Sequence, residues 1–203
     1  MQYLSKDDIS RLRRWDSTLI AQSDSENEWA LTILKNGVDD EGTPALFFAP
    51  HTQPALSFAA KNGVKLVLQD ADGYTLLHDA TYYDLNAFEF LAEYYRQHNA
   101  IDLAESEGIT PLSAHIKRGN LEYARILLEK GASANSFATI KRYGGTRLDL
   151  ATQAINSIAD EGEDQEDLAI KGLALLKKYG LSLLADQKQN LIDRVRDKTK
   201  IVQ

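Results

Sequence analysis

From residue 108 to residue 131 the apolar positions fall into two short helical runs with a polar break between them. Leu112 and Ile116, four apart, share one helical face, and Leu121, Ala124, Ile126, Leu127 and Leu128 make a second amphipathic run. The punctuation agrees with the periodicity. Thr110 is a helix-capping residue, and Pro111 at the first helical position forgoes an N–H that would find no partner inside the helix. Gly108 allows a turn conformation closed to residues with a Cβ, Gly119-Asn120 breaks the chain, and Gly131 stands where a left-handed residue ends a helix. The pattern predicts a turn and two helices. Such a pair cannot bury its apolar faces alone and must stack on neighbours, so the layout has to recur.

It does. "DADGYTLLHDATYYD" (Asp70 to Asp84) and "ESEGITPLSAHIKRG" (Glu105 to Gly119) both place an acid, two residues, Gly, one variable residue, Thr and then an apolar helix start. "YGGTRLDLATQAI" (Tyr143 to Ile155) repeats the plan with Gly144, Thr146 and Leu148, and "DDEGTPALFFAP" (Asp39 to Pro50) is a looser copy. The glycines Gly42, Gly73, Gly108 and Gly144 stand 31, 35 and 36 residues apart. A second mark closes each helix pair: "KNGV" at 35–38 and 61–64, "QHNAID" at 97–102, "EKGASAN" at 129–135 and "KYGLS" at 178–182.

On these residues the chain resembles the ankyrin-repeat family. "TPLSA" stands for that family's T-P-L-H-x-A, and "GASAN" for its terminal turn. "DGYTLLHDA" keeps the His as His78 and replaces the Pro with Leu76. The match is closest over 70–135, looser over 39–69 and 144–181, and slight before 36 and after 182. The resemblance implies an all-α fold: an ankyrin-repeat solenoid of stacked helix-turn-helix units, joined by short hairpin-like loops and closed by helical caps. The expected map is a single domain over 1–203, with N-terminal capping helices in 1–38, repeats at 39–69, 70–104, 105–140 and 141–182, and a C-terminal cap in 183–203. In the cap regions, Ile9, Leu12, Leu19 and Ile20 at one end and Leu191, Ile192 and Val195 at the other are the expected apolar contacts.

Composition narrows the function classes. Hydrophobic residues make up 43% and charged residues 26%, as in ordinary soluble chains. No apolar stretch has the length of a membrane span, and "MQYLSKDDISRLRRWD" has no signal-peptide core, so a cytoplasmic location is expected. Without cysteine there is no disulfide framework, thiolate metal site or Cys nucleophile. The net charge of −7 repels phosphate backbones and disfavours nucleic acid, while it would quicken encounter with a basic protein.

Two insertions depart from the repeat. "SFATIKRYG" between Asn135 and Gly144 carries Phe137, Ile140, Lys141, Arg142 and Tyr143; it reads either as an interface finger or as a loop whose rings pack back on the array. "SIADEGEDQEDLA" (Ser157 to Ala169) crowds acids at 160–167 and reads as a solvated acidic loop, as a docking surface for Lys and Arg, or as a metal site, although EF-hand spacing is absent. The four histidines show no ligand spacing. By resemblance His78 bonds the adjacent Thr; His51 and His98 are expected in solvent near helix ends; His115 stands where Ala is usual. No nucleophile elbow, phosphate loop or dinucleotide fingerprint is present, so no enzyme and no cofactor are expected.

In the resembled family, partners rest on the concave side, on turn tips and on exposed positions of the first helix of each pair. Carried over, that surface comprises Gln69, Asp72 and Tyr74 at one tip with Tyr82 and Tyr83 at the helix end, and Glu107 and Ile109 at the next tip with Lys117 and Arg118 at its helix end. Phe137, Arg142 and Tyr143 complete it, while Glu41, Thr43, His51 and Thr52 correspond in the loose first repeat. Only one of Tyr82 and Tyr83 should meet a partner, because adjacent helical residues point about 100° apart. The expected function is non-enzymatic binding of another protein by a chain that is monomeric when free. Small stand-alone arrays also resemble bacterial immunity proteins, which implies a stoichiometric inhibitor that occludes a toxin or effector. The alternative is a metal-dependent regulator, or a scaffold or adaptor, that uses the acidic stretch.

Overall fold

Ser5 opens the first helix, α1 (Lys6–Arg13), by a reciprocal cap: its Oγ accepts from the Asp8 N–H at 3.1 Å, and Asp8 Oδ2 accepts from the Ser5 N–H at 3.0 Å. The computed structural model describes residues 2–15, 24–79, 84–140, 145–157 and 163–195. Most of them are helical. The chain forms two compact units, Met1–Ile101 and Asp102–Gln203. Among the described residues no helix is long and apolar enough to cross a membrane.

In the first unit α2 (Asp24–Asn36) follows α1, and Arg11 of α1 lies over the Trp29 ring while pairing with Glu26. Leu12, Trp15, Ile33 and Leu34 are buried, and Trp15 Nε1 donates to Asn27 Oδ1 at 3.0 Å. Of the expected N-terminal contacts, Leu12 is core and Ile9 is half-buried; Leu19 and Ile20 lie outside the described residues. A short strand β1 (Gln2–Tyr3) pairs in parallel with β2 (Gly37–Val38). Then come a 3-10 turn (Ala45–Phe48), α3 (Gln53–Lys61) capped by Thr52, a second 3-10 turn (Leu76–His78) and α4 (Leu85–Gln97) capped by Asp84. Buried Leu56, Leu66, Phe88, Leu91 and Tyr95 fill this part, and Tyr95 Oη donates to the Leu66 carbonyl at 2.8 Å.

Both 3-10 turns stand where the repeat pattern predicts a full first helix. At the earlier one the reason is local: Ala49 precedes Pro50, and the proline ring drives the residue before it out of helical conformation, here to φ −74, ψ 158.

The second unit keeps the predicted pair intact. α5 (Pro111–Arg118) starts from Thr110, whose Oγ1 accepts from the Ser113 N–H at 3.2 Å, and ends at Gly119. α6 (Leu121–Glu129) follows and packs on it. Next comes an antiparallel ribbon of β3 (Phe137–Ile140) and β4 (Thr146–Asp149), then α7 (Leu150–Ser157), α8 (Glu163–Lys178) and α9 (Ala185–Arg194). α5 contacts α7 and α8, α6 contacts α8, and α7 contacts α8 and α9. Within this unit α5–α6 and α7–α8 are thus in mutual contact, and α9 packs on α7. Gln187 ties α9 down: its buried amide accepts from the Leu184 N–H at 2.9 Å and donates to Asp149 Oδ2 at 2.7 Å and Thr152 Oγ1 at 2.9 Å. Leu191 and Val195 are buried, and Ile192 is 41% exposed.

Candidate partner-binding surface

Three turns share one construction. At 39–43, 70–74 and 105–109 the first residue is an acid whose carboxylate accepts two backbone N–H groups of its own turn. Asp39 Oδ1 takes Glu41 at 3.0 Å and Thr43 at 2.7 Å; Asp70 Oδ1 takes Asp72 at 3.0 Å and Tyr74 at 2.8 Å; Glu105 Oε1 takes Glu107 and Ile109, both at 2.9 Å. The backbone closes each turn as well, with Asp39 N on Thr43 O at 3.0 Å, Asp70 N on Tyr74 O at 3.0 Å, and Glu105 N on Ile109 O at 3.1 Å. Charge-assisted bonds of this kind are the strong ones, so the loops keep one shape although their side chains differ. The intervening side chains project outward: Asp40, Glu41, Ala71, Asp72 and Ser106 are exposed, and Glu107 is half-buried. The tips are consequently acidic.

In the first unit Gln69, Asp72 and Tyr74 come together on one turn. Gln69 Nε2 donates to the Gly73 carbonyl at 2.7 Å, and Tyr74 meets His78 edge-on with ring centroids 5.3 Å apart. Tyr82 and Tyr83 lie outside the described residues. In the second unit Glu107 and Ile109 share the next turn, while Lys117 and Arg118 are exposed at the far end of α5. Arg142 and Tyr143 also lie outside the described residues.

The insertion after Asn135, read as an interface finger or as a loop packing back on the array, begins in a β-ribbon. Phe137 pairs with Asp149, Ala138 with Leu148, Thr139 with Arg147 and Ile140 with Thr146. Thr146 and Leu148, read from sequence as a helix cap and helix start, are strand residues; Asp149 caps α7 instead, accepting from the Thr152 N–H at 2.7 Å. The ribbon sits on the third turn, because Thr139 N donates to the Glu107 carbonyl at 2.8 Å. It also alternates: Ala138 is 1% exposed, whereas Phe137 is 48% exposed and carries the Arg147 guanidinium 4.1 Å from its ring centroid. Arg147 is the residue that sequence reading missed. Its signal was the period-two alternation in "FATI" and "TRLD".

No protein-family model matches this chain, and no curated protein matches it.

The histidines sit in protein surroundings rather than in a ligand set. His78 is fully buried, and its Nδ1 lies 3.0 Å from the Thr75 N–H and 2.9 Å from Thr75 Oγ1. His51, expected in solvent, is half-buried and donates from Nε2 to the Leu46 carbonyl at 2.9 Å; burial holds its imidazole below the ordinary value. His98 is exposed and stacks on Tyr94 at 4.2 Å, and His115 is buried and stacks on Tyr123 at 5.5 Å. The acidic stretch is not the open loop expected throughout: from Glu163 onward it is the start of α8, and Glu166 is 3% exposed. Asp160 and Glu161 lie outside the described residues. Among the described residues no three His, Cys, Asp or Glu side chains gather as a metal site needs.

Proposed function

We propose that this chain is a non-enzymatic protein-binding module of ankyrin type, whose helix pairs form one capped solenoid and whose turn tips and concave face meet the partner. On this reading it acts stoichiometrically, as an inhibitor or immunity protein that occludes a toxin or effector.

The observation that supports it most is the triple recurrence of the acid-anchored turn, each copy followed by a threonine or proline that opens the next helical segment. One such turn is a local device; three at near-repeat spacing along the sequence are the recurrence that a repeat array requires. The contacting helix pairs of the second unit, with α9 pinned through Gln187, fit a capped array. The exposed tip acids Asp40, Glu41 and Asp72, on a chain of net charge −7, favour a basic partner surface.

Co-expression with the product of the neighbouring gene tests the reading. A one-to-one complex that survives gel filtration, together with relief of that product's toxicity, is the expected result. A neighbouring product that is harmless, or that passes the chain without retention, overturns the inhibitor assignment.

A further inference from the structure

The β3–β4 ribbon presents one outward face bearing Phe137, Thr139, Arg147 and Asp149, set by the antiparallel register. With 30 acidic residues to 23 basic ones, the chain pairs several of its described arginines with carboxylates. Arg13 lies 5.9 Å over the Phe48 ring without one among the described residues. Arg11 lies 3.8 Å over the Trp29 ring and is completed by Glu26; Arg96 pairs with Glu93, and Arg125 with Glu122 and Glu129. Arg147 has the same aromatic support as Arg11, at 4.1 Å over Phe137, but among the described residues no carboxylate lies within ion-pairing distance of it. The acid on its own face is already committed: Asp149 Oδ1 accepts from Thr152 N–H and Oδ2 from Gln187 Nε2, both at 2.7 Å.

The strands that carry the pair are fixed at several points. Thr139 N donates to the Glu107 carbonyl at 2.8 Å and Leu150 N to the Ser136 carbonyl at 3.1 Å, so the ribbon is anchored at its third-turn edge and at its exit into α7. A guanidinium resting on an aromatic ring has already lost much of its freedom, and its planar fork of N–H donors matches a carboxylate in two-point contact. An exposed Phe beside it supplies apolar area around that contact, the usual composition of an interface anchor.

We infer that Arg147, held over Phe137, is a preformed receptor for an Asp or Glu side chain of the partner protein. The inference rests on the protein-binding reading and adds to it. Arg147 would accept one acidic side chain of a partner whose surface, facing a chain of net charge −7, is otherwise basic.

The test is a parallel selection from random peptides displayed on phage with no free C-terminus, against the full chain and against its Arg147→Gln variant. Peptides won by the wild type should be enriched in Asp or Glu next to an apolar residue. Each should bind Arg147→Gln about tenfold or more weakly. Arg147→Lys, which keeps the charge but not the fork, should lose most of the binding too, with thermal melts matching wild type. Winners without acid enrichment, winners that bind Arg147→Gln equally, or no winners at all overturn the receptor. Winners indifferent to Arg147 leave the protein-binding reading standing. Arg147-dependent acidic winners combined with failure of the co-expression experiment leave the receptor standing and remove the inhibitor assignment.

Discussion

Replacing Gly108 with alanine puts a methyl group against the seat of the β-ribbon, and Gly42 provides the control. The two glycines hold the same place in two acid-anchored turns, at φ +83 and φ +87. An L-residue forced into that left-handed region costs about 1–2 kcal/mol at either site. Around Gly42 an added Cβ meets nothing within 4 Å, whereas at Gly108 it comes 3.1 Å from Thr139 N and 3.3 Å from Ala138 Cα. These are backbone atoms and cannot swing aside. The strand has to move, at the expense of the Thr139–Glu107 hydrogen bond of 2.8 Å, which contributes about 1 kcal/mol. Gly108→Ala should therefore cost roughly 2–3 kcal/mol against about 1–2 for Gly42→Ala. Urea unfolding by circular dichroism measures both, and fluorescence of Trp15 and Trp29 follows the first unit separately because both tryptophans lie there. Hydrogen exchange at the Thr139 amide should quicken in Gly108→Ala alone. Equal destabilisation by the two substitutions, with Thr139 protection unchanged, would refute the seating of the ribbon on this turn.

Two further outcomes follow from buried polar groups. Tyr95→Phe removes the donor to the Leu66 carbonyl at a fully buried site and should lower unfolding stability by about 1–2 kcal/mol; an unchanged urea midpoint counts against that bond. His51 is held below the ordinary imidazole value of 6.5 chiefly by burial, against the opposing Leu46 carbonyl bond and the charge of Asp79. Its neutral form therefore belongs to the folded state: the stability it confers is complete above about 6.5 and is lost as pH falls from there through the lower folded value. The melting temperature of wild type should drop more steeply on acidification than that of His51→Gln, and parallel curves would contradict this.

The features legible in the sequence were those whose causes are local. Thr110 and Pro111 opening α5, the Thr75–His78 contact and the acid-Gly-Thr spacing of the turns each depend on residues within a few positions of one another. What escaped depends on distant partners. Thr146 has the spacing of a cap, yet pairing with Ile140 draws it into a strand and leaves the cap to Asp149. The burial of His51 follows from how the surrounding chain closes over it, which no short motif encodes. The ring contact of Arg147 depends on Phe137, ten positions away, and the bond that holds Asp149 comes from Gln187, 38 residues on. The first 3-10 turn is the exception: its cause, Pro50 after Ala49, is local, and it overrides the helix that the repeat pattern predicts there.

A loop held in shape by its own leading carboxylate and by its backbone relieves most side chains at its apex of folding duty. Asp40, Glu41, Ala71 and Asp72 can be exchanged generation by generation while the frame beneath them persists. If the chain binds a partner as proposed, a lineage built this way can change its specificity by rewriting a handful of surface letters, and sequence variation among its members should be concentrated there.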